Sequence, residues 1–64
     1  MIITEEKYCI VSKSFPLKFY YNGNEENTFS DYLLMSKENC EDELSTYDEP
    51  EDFNILKVNV TYEF

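Results

Sequence analysis

Leu56-Lys57-Val58-Asn59-Val60-Thr61-Tyr62-Glu63-Phe64 sets five apolar residues at alternate positions, with Lys57, Asn59, Thr61 and Glu63 between them. Successive side chains of an extended chain point to opposite sides, so this period of two predicts a half-buried strand of an antiparallel or mixed sheet. Such a strand would deliver core side chains up to its last residue, and its truncation is expected to be poorly tolerated.

Upstream, Tyr8-Cys9-Ile10-Val11 between Lys7 and Lys13 is β-branched and aromatic and predicts a further strand. Ser14-Phe15-Pro16 interrupts it, because proline cannot donate to a ladder. Leu17, Phe19 and Tyr21 then alternate with Lys18, Tyr20 and Asn22, the pattern of a second strand hairpinned to the first. Asn22-Gly23 supplies a pair that tolerates positive φ in a tight turn. Leu33, Leu34 and Met35 read as a short third strand from Tyr32 to Met35, in preference to a helix starting at Thr28 or Ser30. Ser36 follows as an N-cap, with Glu38 in the first turn, for a helix to about Tyr47 whose apolar stripe is Cys40, Leu44 and Tyr47. Asp48-Glu49-Pro50-Glu51-Asp52 ends it, since the residue before proline avoids the helical region. The expected architecture is α+β: a sheet of three or four strands in the order β-β-(β)-α-β, with one helix across one face.

At 64 residues the chain has room for one domain, residues 1–64, and none for a catalytic domain with a lid. A chain of this size buries only about 60% of its unfolded surface, which leaves a thin margin of stability. Six Tyr and five Phe nevertheless offer a real core, and the composition is not that of a disordered segment. The opening residues lack the charged and apolar regions of a secretory signal, and no run is long enough to span a membrane, so a soluble, cytoplasmic protein is expected. Cys9 and Cys40 are then expected as free, buried thiols.

Five Lys stand against fourteen Asp and Glu for a net charge of −9, with no His and no Arg, which argues against direct binding to nucleic acid or to anionic lipid. The charge is localised. Residues 25–52 carry eleven acids against Lys37 alone, a net −10, while the flanking segments are close to neutral. Without histidine there is no imidazole base, no Ser-His or Cys-His nucleophile pair and no imidazole ligand. One glycine excludes a glycine-rich phosphate loop, and the cysteine spacing is not that of a zinc or redox site. The run from Asp48 to Asp52 has Pro50 at its centre and lacks the glycine of a calcium loop, so no metal or cofactor is expected. The protein is not expected to be an enzyme.

What remains is the acidic segment. Glu38, Glu41, Asp42 and Glu49 fall on or near the helix face opposite Cys40 and Leu44, with Glu38 and Asp42 a like-charge pair at i, i+4 and Lys37 to Glu41 the one compensating pair. Asp48, Glu49, Glu51 and Asp52 follow in the loop. Charge runs are commonly solvated faces that keep a protein soluble. A net −10 on so short a segment also costs self-repulsion, which a function needing negative charge would explain. Carboxylates displayed on a rigid fold can occupy a groove built for phosphates. Tyr20, Tyr32 and Tyr47 are candidate aromatic anchors beside them, with Tyr20, on the polar side of its strand, the one expected to be exposed.

The capped acidic helix Ser36-Lys37-Glu38-Asn39-Cys40-Glu41-Asp42-Glu43-Leu44, the loop Asp48-Glu49-Pro50-Glu51-Asp52 and the alternating last strand together resemble, in type, the small acidic proteins that bacteriophages make to disable host functions. Anti-CRISPR and anti-restriction proteins and other DNA mimics are among these. The resemblance implies a non-enzymatic inhibitor that blocks the basic nucleic-acid site of a host enzyme, acting in the host cytoplasm. Two other roles fit the residues: an adaptor that pairs through an exposed sheet edge contributed by the first or second strand, and a structural homodimer.

Overall fold

The computed structural model describes residues 1–26, Thr28 and residues 30–64, with the backbone alone at Asp31. Its elements are β1 (Ile2–Ser12), β2 (Phe19–Tyr21), β3 (Asn24–Glu26), a 3-10 turn at Asp31–Leu33, the helix α1 (Lys37–Leu44), a second 3-10 turn at Pro50–Asp52, and β4 (Phe53–Glu63). The four strands form one antiparallel sheet in the order β3-β2-β1-β4. With one helix beside it this is a small α+β fold, as the alternation and the capped helix had implied.

β1 and β4 pair along their whole lengths, from Ile2 opposite Glu63 to Ser12 opposite Phe53. Among the described residues, β1 has partners on its other side only from Tyr8 onward. Ile10 and Val11 pair with Tyr20 and Phe19, and Tyr8 exchanges two backbone hydrogen bonds with Met35 at 2.7 and 2.8 Å. The part of the ribbon formed by Ile2–Lys7 and Val58–Glu63 therefore projects as a two-stranded arm, and the molecule measures 43 × 24 × 16 Å.

The core lies where β1 is flanked on both sides. Cys9, Ile10, Val11 and Ser12 are buried in succession, as a strand covered on both faces must be. By register, Ile10, Tyr20 and Phe53 share one face, where Phe53 meets the rings of Tyr20 and Tyr47 edge-on at 4.8 and 5.0 Å. Tyr21 belongs to the opposite face and meets Tyr32 edge-on at 5.2 Å. Leu33 and Cys40 complete the fully buried set. Each large apolar side chain buried here contributes about 1.5–3 kcal/mol.

Several expectations need correcting. The third strand is Asn24–Glu26, immediately after the Asn22-Gly23 turn, and not Tyr32–Met35, where a 3-10 turn and the single Tyr8–Met35 bridge stand instead. The reason is hairpin geometry: Asn22 (φ 51°) and Gly23 (φ 79°) both take left-handed conformations, which send the chain straight back along β2. α1 ends at Leu44 rather than near Tyr47, because Ser45 and Thr46 hydroxyls, each 2.6 Å from the carbonyls of Asp42 and Glu43, satisfy the last turn early. β1 begins at Ile2, well before Lys7, drawn out by β4. β4 is less buried than its pattern implied. Val58 and Val60 are half-buried, but Leu56, Tyr62 and Phe64 are exposed, because none of the described elements covers them; Phe64, at 78% exposure, is not a core residue. Leu17 is likewise exposed. Cys9 and Cys40 are free and buried, as expected.

Candidate functional site

The acidic region is assembled by three local devices. The first is the start of α1, where the Ser36 hydroxyl accepts the Asn39 amide at 3.1 Å, the bond that makes serine a good cap. The second joins the far end of α1 to the β2–β3 turn. Tyr47 donates its hydroxyl hydrogen to Glu43 Oε2 at 2.7 Å, the same oxygen accepts the Asn22 amide at 3.1 Å, and the Gly23 amide donates to the Tyr47 hydroxyl at 3.2 Å. The third is the Pro50–Asp52 turn, where the Asp52 amide donates to the Glu49 carbonyl at 3.1 Å and returns the chain into β4.

Between the second and third devices an open cleft of about 560 Å³ is lined by Asn22, Gly23, Thr46, Tyr47, Asp48, Glu49, Asp52 and Phe53. Three carboxylates thus stand round two aromatic rings. A hydrogen bond with Asp52, and then the charges of Asp52 and Glu51, raise the Glu49 carboxyl above its ordinary value. These acids crowd one another. Every described ion pair lies elsewhere: Lys7–Glu5 at 3.6 Å, Lys18–Glu25 at 3.1 Å and Lys57–Glu6 at 3.6 Å. The expected Lys37–Glu41 pair is not among them. On α1, Glu41, Asp42 and Glu43 sit toward the carboxyl end with no basic residue in the last turn, where the helix dipole disfavours anions.

The candidate residues therefore fall into two groups. Asp48, Glu49 and Asp52 line the cleft with Glu51 exposed beside them, and Glu38, Glu41 and Asp42 are exposed on α1, outside the cleft lining. Tyr20 is corrected: it is half-buried, its ring against Phe53 and its hydroxyl 3.5 Å from Glu25 Oε1, because β3 and Phe53 close over the side of the strand that looked polar. Of the three candidate anchors Tyr32 is the exposed one, at 51%, and its hydrogen bond to Glu26 raises its hydroxyl pKa. Tyr47, named as an aromatic anchor, does line the cleft, whereas Glu43, Phe53 and the Asn22-Gly23 turn were missed as site residues. The available signal was Glu43 four residues before Tyr47, a helical spacing that places a carboxylate over a tyrosine hydroxyl.

Burial pushes the Cys40 thiol up to about 11 and raises Cys9 as well, so both are protonated at neutral pH and shielded from solvent. Among the described residues no cluster of His, Cys, Asp or Glu has the geometry to hold a metal ion, and no helix is long and apolar enough to cross a membrane. No family model, curated protein or solved structure matches the chain.

Proposed function

We propose that the protein is a non-enzymatic acidic inhibitor, of the kind phages direct at host defence, that occupies the basic nucleic-acid-binding surface of a host enzyme. The observation that supports this reading is the cleft: Asp48, Glu49 and Asp52 are held together at the cost of mutual repulsion, which a lysine or arginine side chain entering beside Tyr47 and Phe53 would relieve. Glu38, Glu41 and Asp42 extend the negative surface along α1 and would meet neighbouring cations, as a row of phosphates does. In this reading the aromatic walls give the inserted cation an apolar bed, and the crowded carboxylates, which take part in none of the described ion pairs, supply the attraction.

The test is capture from a nuclease-treated bacterial lysate on the immobilised protein. A nucleic-acid enzyme should be retained at low salt, released at high salt and displaced by added DNA or RNA, because association led by charge weakens steeply with ionic strength. Charge reversal of Asp48, Glu49 and Asp52 to Lys should abolish retention, and reversal of Glu38, Glu41 and Asp42 should weaken it. A partner indifferent to salt and to nucleic acid would refute the proposal.

A further inference from the structure

β4 is an edge strand, eleven residues long and in unbroken register with β1. Folded proteins normally blunt such an edge with proline, a bulge or a covering element. β4 contains no proline, its register shows no bulge, and none of the described elements pairs with its outer side. The phase of its hydrogen bonds is fixed by the Phe64 amide donating to the Met1 carbonyl at 2.8 Å and by Lys13 to Asp52 at 3.1 Å. Even-numbered residues of β4 therefore point their N–H and C=O groups at β1. Ile55, Lys57, Asn59, Thr61 and Glu63 point theirs outward.

We propose that a second copy of this chain pairs antiparallel along this edge, about a two-fold axis through Val60. The charges select the occupant and the register. With Val60 facing Val60, Lys57 of each copy lies directly opposite Glu63 of the other, so the two charged side chains of this part of β4 are each matched, twice over. Shifting the axis to Asn59 sets Lys57 against Thr61, and shifting it to Thr61 sets Glu63 against Asn59; either leaves both charges unmatched. The same register aligns Asn59 with Thr61, Leu56 with Phe64 and Val58 with Tyr62, pairs that stabilise adjacent strands. Lys57 is free to take part, since its contact with Glu6 is a 3.6 Å pair with both side chains more than half exposed.

Charge over the whole molecule favours this arrangement as well. Residues 1–7 and 57–64 sum to −1 through their side chains, and the remainder carries −8 of the total −9. Two copies that met through their acidic bodies would repel. Paired through Val60, Ile55 of one copy and Ile55 of the other are offset by about 33 Å along the ribbon, at about 3.3 Å per residue. That distance is several Debye lengths at physiological salt.

Sedimentation velocity over a range of concentrations, on the full chain, tests this. A concentration-dependent monomer–dimer equilibrium is expected. Lys57→Glu and Glu63→Lys, each setting like charges opposite one another at two symmetric positions, should weaken the dimer about tenfold, and the double exchange K57E/E63K should restore it to within about threefold of the original. Asn59→Pro removes an outward-pointing donor without touching the bonds to β1 and should leave a monomer. A chain that stays monomeric at millimolar concentration would overturn the proposal, as would a dimer indifferent to Asn59→Pro or a double exchange that fails to rescue. So would a monomer that takes up an extended peptide of another protein along β4 in place of its own copy. If Asn59→Pro fails to fold, the charge exchange alone decides.

Discussion

Tyr47 does more than any other single side chain to place the candidate site, since its ring packs on Phe53 and its hydroxyl joins Glu43 to the Gly23 amide. Tyr47→Phe keeps the ring but leaves Glu43 and the turn amide short of a partner, and should cost about 1–2 kcal/mol in chemical denaturation. Burial first, and then the bond to Glu43, raise the Tyr47 hydroxyl pKa. The folded state therefore holds this proton more tightly than the unfolded chain does. Its contribution is complete below the ordinary value of 10.0 and fades as pH climbs above it. Cys40 acts in the same sense over the window from its ordinary 9.0 to about 11. Stability measured against pH should thus fall beyond about 9, and Tyr47→Phe should flatten the uppermost part of that fall. Glu49 also has a raised value, so its folded-state advantage is full below the ordinary 4.5 and is lost as pH rises through the raised value. Glu49→Gln should therefore raise the melting temperature slightly at pH 7 and have no such effect near pH 4.

At the level of elements, α1 depends on its cap and β1 on its enclosure. Ser36→Ala should cost about 1 kcal/mol, seen as a lower denaturation midpoint, by freeing the Asn39 amide. Leu33→Ala, at a fully buried position, should cost about 2–5 kcal/mol and in so small a fold can be enough to unfold it. The cap was legible in the sequence because serine before an acid-rich turn is a local signal, and β4 was legible because its alternation survives in any tertiary setting. How deeply β4 is buried was not. Burial depends on what lies over a strand, and Leu56 to Phe64 reads the same whether a helix covers it or water does. β3 was missed because Asn24-Glu25-Glu26 has no strand propensity of its own; the turn before it imposes the extended conformation. The cleft lay beyond local reading altogether, since it brings residues 22–23 against residues 46–53.

For the whole molecule, the contrast between an enclosed end and a bare arm predicts a gradient of local stability. Isolated two-stranded ribbons are marginal in water, so amides of Ile3, Glu5 and Lys7 should exchange with solvent deuterium faster than those of Cys9 and Val11, under dilute conditions that keep the chain monomeric. At high concentration the amides of Lys57, Asn59 and Thr61 should become protected if the edge pairs as proposed. The uneven placement of charge has one more consequence. A body bearing −8 at one end of a 43 Å particle, with a nearly uncharged tip at the other, is a strong permanent dipole. Near a cationic surface such a particle feels torque as well as pull: it swings its acidic end forward before contact and trails its arm behind, so that most collisions begin already aimed.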